Sequence, residues 1–233
     1  MSSQQPSTEP PVYLVVGAGE GISAATATLF AARGWQTVLI ARSETTVERA
    51  AELVATAAPD SPSPIRLIAD ASHPAALREA IESLDLGRVD VAHFNVGLFL
   101  PGGLDTDLGA VSSALDTGAV AALAMAQAVV PVMRRAPGTP RTLLFTGGGT
   151  ADFPMRASLA LGLEKAALRN LALGLDAELR EEGIHVATLT VYGIVAPETP
   201  FAPTAIADAM AELIDESESA SEHWTTVGEF RGR

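Results

Sequence analysis

The stretch Val12-Tyr13-Leu14-Val15-Val16-Gly17-Ala18-Gly19-Glu20-Gly21-Ile22-Ser23 decides the fold. Five consecutive apolar residues read as a strand buried on both faces of a parallel sheet. Gly17, Gly19 and Gly21 let the chain turn sharply and approach a ligand without a Cβ in the way. A helix is expected over 22–33. Starting at such a turn, it offers its N-terminal N–H groups and positive dipole end to a phosphate. Strand, glycine turn and helix together imply a nucleotide pyrophosphate site at the start of a doubly wound fold.

The same alternation continues outward. Further strands are expected at 37–41, 65–69, 89–94, 142–146 and 185–190, with a short last one near 224–227. Helices are expected at 44–57, 74–84, 108–134, 157–182 and 205–217. Gly34, Gly87 and Gly183 follow helix ends, where a left-handed cap favours glycine. The pattern implies an α/β chain: one Rossmann-type, doubly wound parallel sheet with helices on both faces. Residues 1–11, rich in Ser, Gln and Pro, are expected to form a disordered tail, and residues 12–233 a single dinucleotide-binding domain.

Composition limits the function. The chain has 233 residues, of which 48% are apolar, enough for a sizeable core. Its net charge of -13 opposes nucleic-acid binding, which needs a basic footprint. With no cysteine, disulfides and thiolate chemistry are excluded. The N-terminus lacks the basic and apolar segments of a signal peptide. No apolar stretch is expected to span a bilayer, 119–133 coming nearest. A cytoplasmic protein without membrane contact is the expectation. His73, His93, His185 and His223 show no metal-ligand spacing, so no metal is expected. His93 and Tyr13 fall on strands and read as core. No G-x-S-x-G elbow supports hydrolase chemistry.

Gly17, Gly21 and Ile22, Asp70 closing the third strand, Asn95-Val96-Gly97 after the fourth, Pro131 late in a long helix and Lys165 within Glu164-Lys165-Ala166-Ala167-Leu168 stand in a telling order. In these features the chain resembles the short-chain dehydrogenase/reductase family over almost all its length after the tail. The resemblance implies that Gly17, Gly19, Gly21 and Ile22 cradle the coenzyme, that Asp70 contacts adenine, and that Asn95 and Gly97 border the cofactor. It also implies a homodimer or homotetramer built on the two long helices.

Residue chemistry runs alongside. Asp70 at a strand end can accept from an adenine amino group, or simply order its loop. Lys165 on an alanine- and leucine-rich helix needs a partner or solvent; the 2′- and 3′-hydroxyls of a nicotinamide ribose would serve. The second strand ends at Ala41 without an acidic residue for a ribose diol. Arg42 and Ser43 suit a 2′-phosphate, which favours NADP(H) over NAD(H), whereas Glu20 argues the other way.

The catalytic half departs from the resembling family. Its tyrosine, four residues before the lysine, corresponds to Leu161; its serine falls best on Gly148; its helix asparagine aligns with Gly118. Of the four residues, Lys165 alone is kept. Tyr192, after the sixth strand, and Ser158, two turns before Lys165, are the candidates for contacting substrate. Two functions stay open: an NAD(P)-dependent oxidoreductase with a non-standard active site acting on a small carbonyl or alcohol, or a catalytically silent NAD(P)-binding sensor or oligomer partner. Pro197, Pro200 and Pro203 argue against a large moving lid, and Phe201 is expected to face the cleft.

Overall fold

The computed structural model describes residues 9–135 and 140–233. Residues 1–8 of the expected tail lie outside them. In chain order the elements are β1 (Val12–Val16), α1 (Ile22–Ala32), β2 (Gln36–Ala41), α2 (Glu44–Ala57), β3 (Ile65–Ile68), α3 (Pro74–Glu82), β4 (Val91–Phe94), α4 (Leu108–Leu115), α5 (Ala121–Arg134), β5 (Thr142–Gly148), α6 (Leu159–Leu179), β6 (His185–Val191), α7 (Pro203–Asp215) and β7 (Val227–Phe230). The strands form one sheet in the order β3-β2-β1-β4-β5-β6-β7, every pair parallel. The order reverses beside β1, so the connections after β1 and β4 leave in opposite directions and open a crevice between them.

Residues of β1 alternate between two cores. Val12, Leu14 and Val16 pack with Leu77, Met125 and Leu168 of α3, α5 and α6. Tyr13 and Val15 pack with Phe30, Val54 and Met210 of α1, α2 and α7. All five are buried, which is why the strand reads as an unbroken apolar run. Each large apolar side chain so buried contributes about 2 kcal/mol.

Several expectations need correction. The last strand is Val227–Phe230, not 224–227. Trp224 lies outside the sheet, its ring 5.2 Å from that of His185 and under the Arg180 guanidinium. The expected helix over 108–134 is divided by a wider π turn, Asp116–Val120. Gly34 and Gly183 do take left-handed φ values of +83° and +72°, but after α3 that conformation falls on Asp85 at +43°, not on Gly87. Phe201 does not face the crevice; it packs edge-on against Phe230, with centroids 5.8 Å apart. The stretch Leu108–Arg134 is, by length and hydropathy, apolar enough to cross a membrane, contrary to expectation. Half of its apolar window is buried inside the protein, as in a core helix.

One polar chain crosses the core. Gly17 O can only accept, so the Asn95 atom facing it at 3.3 Å is Nδ2. Asn95 Oδ1 then accepts from the Thr146 hydroxyl at 2.7 Å. Having given its only proton, Thr146 Oγ1 accepts from His93 Nε2 at 2.8 Å. His93 Nδ1 is therefore bare and accepts the Tyr13 hydroxyl at 2.6 Å. Burial agrees with this neutral tautomer, depressing the His93 pKa to about 3 and raising that of Tyr13.

A depressed histidine pKa contributes stability that is full above the unfolded value near 6.5 and is lost as pH falls toward the folded value. Between pH 7 and pH 5 this contribution falls by about 2 kcal/mol. His93→Gln, which can make both hydrogen bonds without titrating, should lose less stability over that interval by about the same amount, read from urea unfolding at the two pH values. Equal losses in both proteins would contradict a neutral buried His93.

Candidate dinucleotide site

The turn after β1 has two kinds of glycine. Gly17 is fixed by the fold: its φ is +89° and a Cβ there would lie 2.6 Å from Asn95 O. Its N–H and that of Ala18 both donate to Ile40 O, at 3.0 and 2.9 Å. Gly19 and Gly21 differ, because a Cβ on either would meet no atom within 4 Å. The Gly19 N–H donates to Ser23 Oγ at 2.9 Å, which orders the turn. Ile22 begins α1, and no side chain caps it and no acidic residue sits in its first turn. By contrast Ser43, Asp107 and Ser158 cap α2, α4 and α6, and proline opens α3 and α7. Open space beside two glycines, with uncapped N–H groups at a helix start, fits a pyrophosphate.

A cavity of about 310 Å³ continues from this turn along the carboxyl ends of β1, β2, β3 and β4. Gly17, Arg42, Asp70, Asn95 and Gly97 all line it, so the structure brings together five of the residues named from the sequence. Asp70 Oδ1 accepts from the Ser72 N–H at 2.9 Å. That bond, with smaller help from the charges of His73 and Arg42, holds the exposed carboxyl below its usual pKa. Arg42 forms no hydrogen bond or ion pair among the described residues and stands at the cavity's edge. Beside it the Ser43 and Thr46 hydroxyls lie 2.7 Å apart. Glu20 points away to α2, where Arg49 holds both its oxygens at 3.1 and 3.2 Å. Its charge is thus answered within the protein, which weakens the objection it raised to a 2′-phosphate.

Lys165 lies behind Gly97 rather than on the cavity wall. Its Nζ donates to Val96 O at 2.9 Å and to Thr146 O at 3.3 Å. A Cβ on Gly97 would come within 2.9 Å of it. Gly148 ends β5 beside the same side chain, 3.4 Å from Lys165 Cγ by its would-be Cβ. Leu161 stands one turn before the lysine, its N–H on the Ser158 hydroxyl.

The two proposed substrate contacts have other partners. Ser158 is fully buried; its hydroxyl caps α6 and donates to Leu100 O at 2.7 Å. The Tyr192 hydroxyl donates to Asp152 Oδ2 at 2.6 Å, and that bond raises its pKa. Arg169 and Tyr192 in turn hold the Asp152 pKa at about 2. The Arg231 guanidinium covers the Tyr192 ring at 4.1 Å. No hydrogen bond joins either residue to Lys165. Among the described residues no three His, Asp or Glu are placed to hold a metal ion.

Two participants escaped the sequence argument. Thr146 links Lys165 to the core chain through its carbonyl and hydroxyl. Glu164 is fully buried beside Lys165. A signal was present: Lys165 is the only lysine in the chain, every other one of the fifteen basic residues being arginine.

Comparison with known proteins agrees with this geometry. A family model described as enoyl-(acyl carrier protein) reductase matches residues 17–222. The chain belongs to that family, within the short-chain dehydrogenases and reductases. No curated protein sequence matches it. Among solved structures, L-sorbose reductase from Gluconobacter frateurii, complexed with NADPH and L-sorbose, superposes with a TM-score of 0.85 at 20% identity, covering 96% of each chain. A metagenomic short-chain oxidoreductase in complex with NADP gives 0.83 at 21%, covering 97% of this chain and 98% of that one. A short-chain dehydrogenase from Rhodopseudomonas palustris gives 0.79 at 24%, covering 96% and 99%. At such identities these likenesses establish the fold.

The glycines provide a test. Gly17→Ala should lower stability by about 2 kcal/mol or more, from the strained backbone and the contact with Asn95. Gly19→Ala should change it by less than about 0.5 kcal/mol, because its side chain points into open space. Chemical denaturation of both variants decides whether the two glycines serve different ends.

Proposed function

We propose that this protein binds NADP(H) across the crevice beside β1 and acts as an oxidoreductase on a small carbonyl or alcohol, with a non-standard active site. The observation that carries it is the single cavity shared by the glycine turn, Arg42, Asp70 and the Asn95-Val96-Gly97 segment. In that pose Gly19, Gly21 and the start of α1 receive the pyrophosphate, Asp70 accepts from the adenine amino group, and Arg42 with Ser43 and Thr46 receives the 2′-phosphate. NADP(H) is favoured because Arg42 has no hydrogen-bond or ion-pair partner among the described residues and β2 ends without an acidic residue. Two of the structural relatives carry the same coenzyme. A bound nicotinamide supplies or accepts hydride.

Lys165 lies beneath the Gly97 end of the crevice, where it would meet ribose hydroxyls after a small shift from Val96 O. Leu161, Gly148 and Gly118 offer no proton donor. A substrate with its own acidic group, or water ordered by Lys165, would provide the proton. The inward position of Lys165 and the engaged Tyr192 favour the alternative, a catalytically silent coenzyme binder, over an ordinary alcohol dehydrogenase. Exposed Leu108, Val120, Leu163 and Leu173 on or beside α4, α5 and α6 support assembly of copies through these helices.

Fluorescence titration with NADPH and NADH tests coenzyme choice. Arg42→Ala should weaken NADPH binding about tenfold and leave NADH binding unchanged, since one charge-assisted contact to phosphate is worth about 1.5 kcal/mol. Failure of both coenzymes to bind would overturn the proposal. A carbonyl panel then separates the two functions: NADPH oxidation that vanishes in Lys165→Ala even at coenzyme concentrations that saturate the variant identifies an enzyme. Tight binding without turnover identifies a sensor.

A further inference from the structure

Glu164 carries an unexplained cost. It is fully buried. Its Oε2 accepts from the Leu98 N–H at 3.0 Å. Its Oε1 has no partner among the described residues other than the Lys165 ammonium, with which it forms an ion pair at 3.2 Å. A buried ion pair is costly to desolvate, and natural cores seldom keep one without a use. Two neighbouring backbones give way to the pair. Any side chain at Gly118 would overlap Glu164 Cγ and Cδ, and one at Gly97 would press on Lys165 Nζ. Gly118 lies in the π turn between α4 and α5, a distortion often found at functional sites. Gly97 and Leu98, directly above, are cavity wall.

We propose that Glu164 is the positioning residue of the site: it is the counter-ion that holds the side chain of the chain's only lysine under Gly97, where a ribose diol of the coenzyme would find it. A buried ammonium needs an opposite charge. Val96 O and Thr146 O supply dipoles but no charge, so the task falls to Glu164. The π turn and Gly118 make room for its carboxylate. Glu164 acts through Lys165 and touches no ligand. The part concerning coenzyme depends on the function proposed above.

The single lysine allows a test without coenzyme. Labelling by an amine-selective reagent at neutral pH, read at the Lys165 peptide by mass spectrometry, reports how firmly the amine is held out of the reagent's reach. Glu164→Gln keeps the shape and removes the charge, and labelling should rise about tenfold. Gly118→Ala, which displaces Glu164 without altering it, should raise labelling in the same direction, and serves if Glu164→Gln does not fold. Unchanged labelling in the folded variants overturns the proposal. NADPH titration adds the second arm. Glu164→Gln should weaken binding at least fivefold, and should cause no further loss in a Lys165→Met background. Equal losses in both backgrounds mean that Glu164 only fills space, which also overturns it. If the unaltered protein binds no dinucleotide, the coenzyme function fails while the labelling arm still decides the role of Glu164.

Discussion

The backbone of Gly17 against the carbonyl of Asn95 is the contact on which the site depends. β1 and β4 are neighbours in the sheet although two strands and three helices intervene between them in the chain. Their ends meet where the strand order reverses, and the crevice exists because the two connections then part. A left-handed Gly17 lets the chains touch. The Asn95 amide ties them, and Thr146, His93 and Tyr13 brace the amide from below through hydrogen bonds that run in one sense only. A buried chain of this kind is stable only if every member is satisfied, and this one is anchored by a histidine that burial keeps neutral.

Around that junction the residues proposed to bind coenzyme and those proposed to meet substrate have different surroundings. Arg42 and Asp70 line the crevice, and a Cβ on Gly19 or Gly21 would meet open space. Ser158 and Tyr192, which carry the right functional groups for chemistry, are spent on a helix cap and on a surface ion network. Between the two sets lies Lys165, drawn inward to Val96 and Thr146. Small residues at Gly97, Gly118 and Gly148 surround it. The three glycines make one arrangement: two give room to the Glu164–Lys165 pair, and the third leaves the floor beside it bare.

Much of the architecture was legible because a parallel strand buried on both faces cannot hide its composition. β1 and α2 fall on their expected limits, and the other shared elements differ by a few residues at their ends. Errors arose where a local signal had a distant cause. Trp224 suggests a strand but packs on His185 and Arg180. Phe201 suggests a cleft wall but packs on Phe230. The 108–134 segment reads as one helix because a π turn keeps the helical spacing of apolar residues nearly intact, and Glu164, which occupies the space a Cβ on Gly118 would need, is forty-six residues away in the chain.

By itself the sequence determined the parallel α/β sheet, the glycine turn at its switch point and the absence of a tyrosine before Lys165, since these follow from composition and spacing along one stretch of chain. Tertiary structure alone decided which polar groups have partners. It turned Glu20 to Arg49, left Arg42 without a partner among the described residues, engaged Tyr192 with Asp152 and set Glu164 beneath Gly97. The physical reason is that a hydrogen bond or ion pair reaches only about 3 Å, and no pattern in the chain fixes which remote groups the fold brings that close.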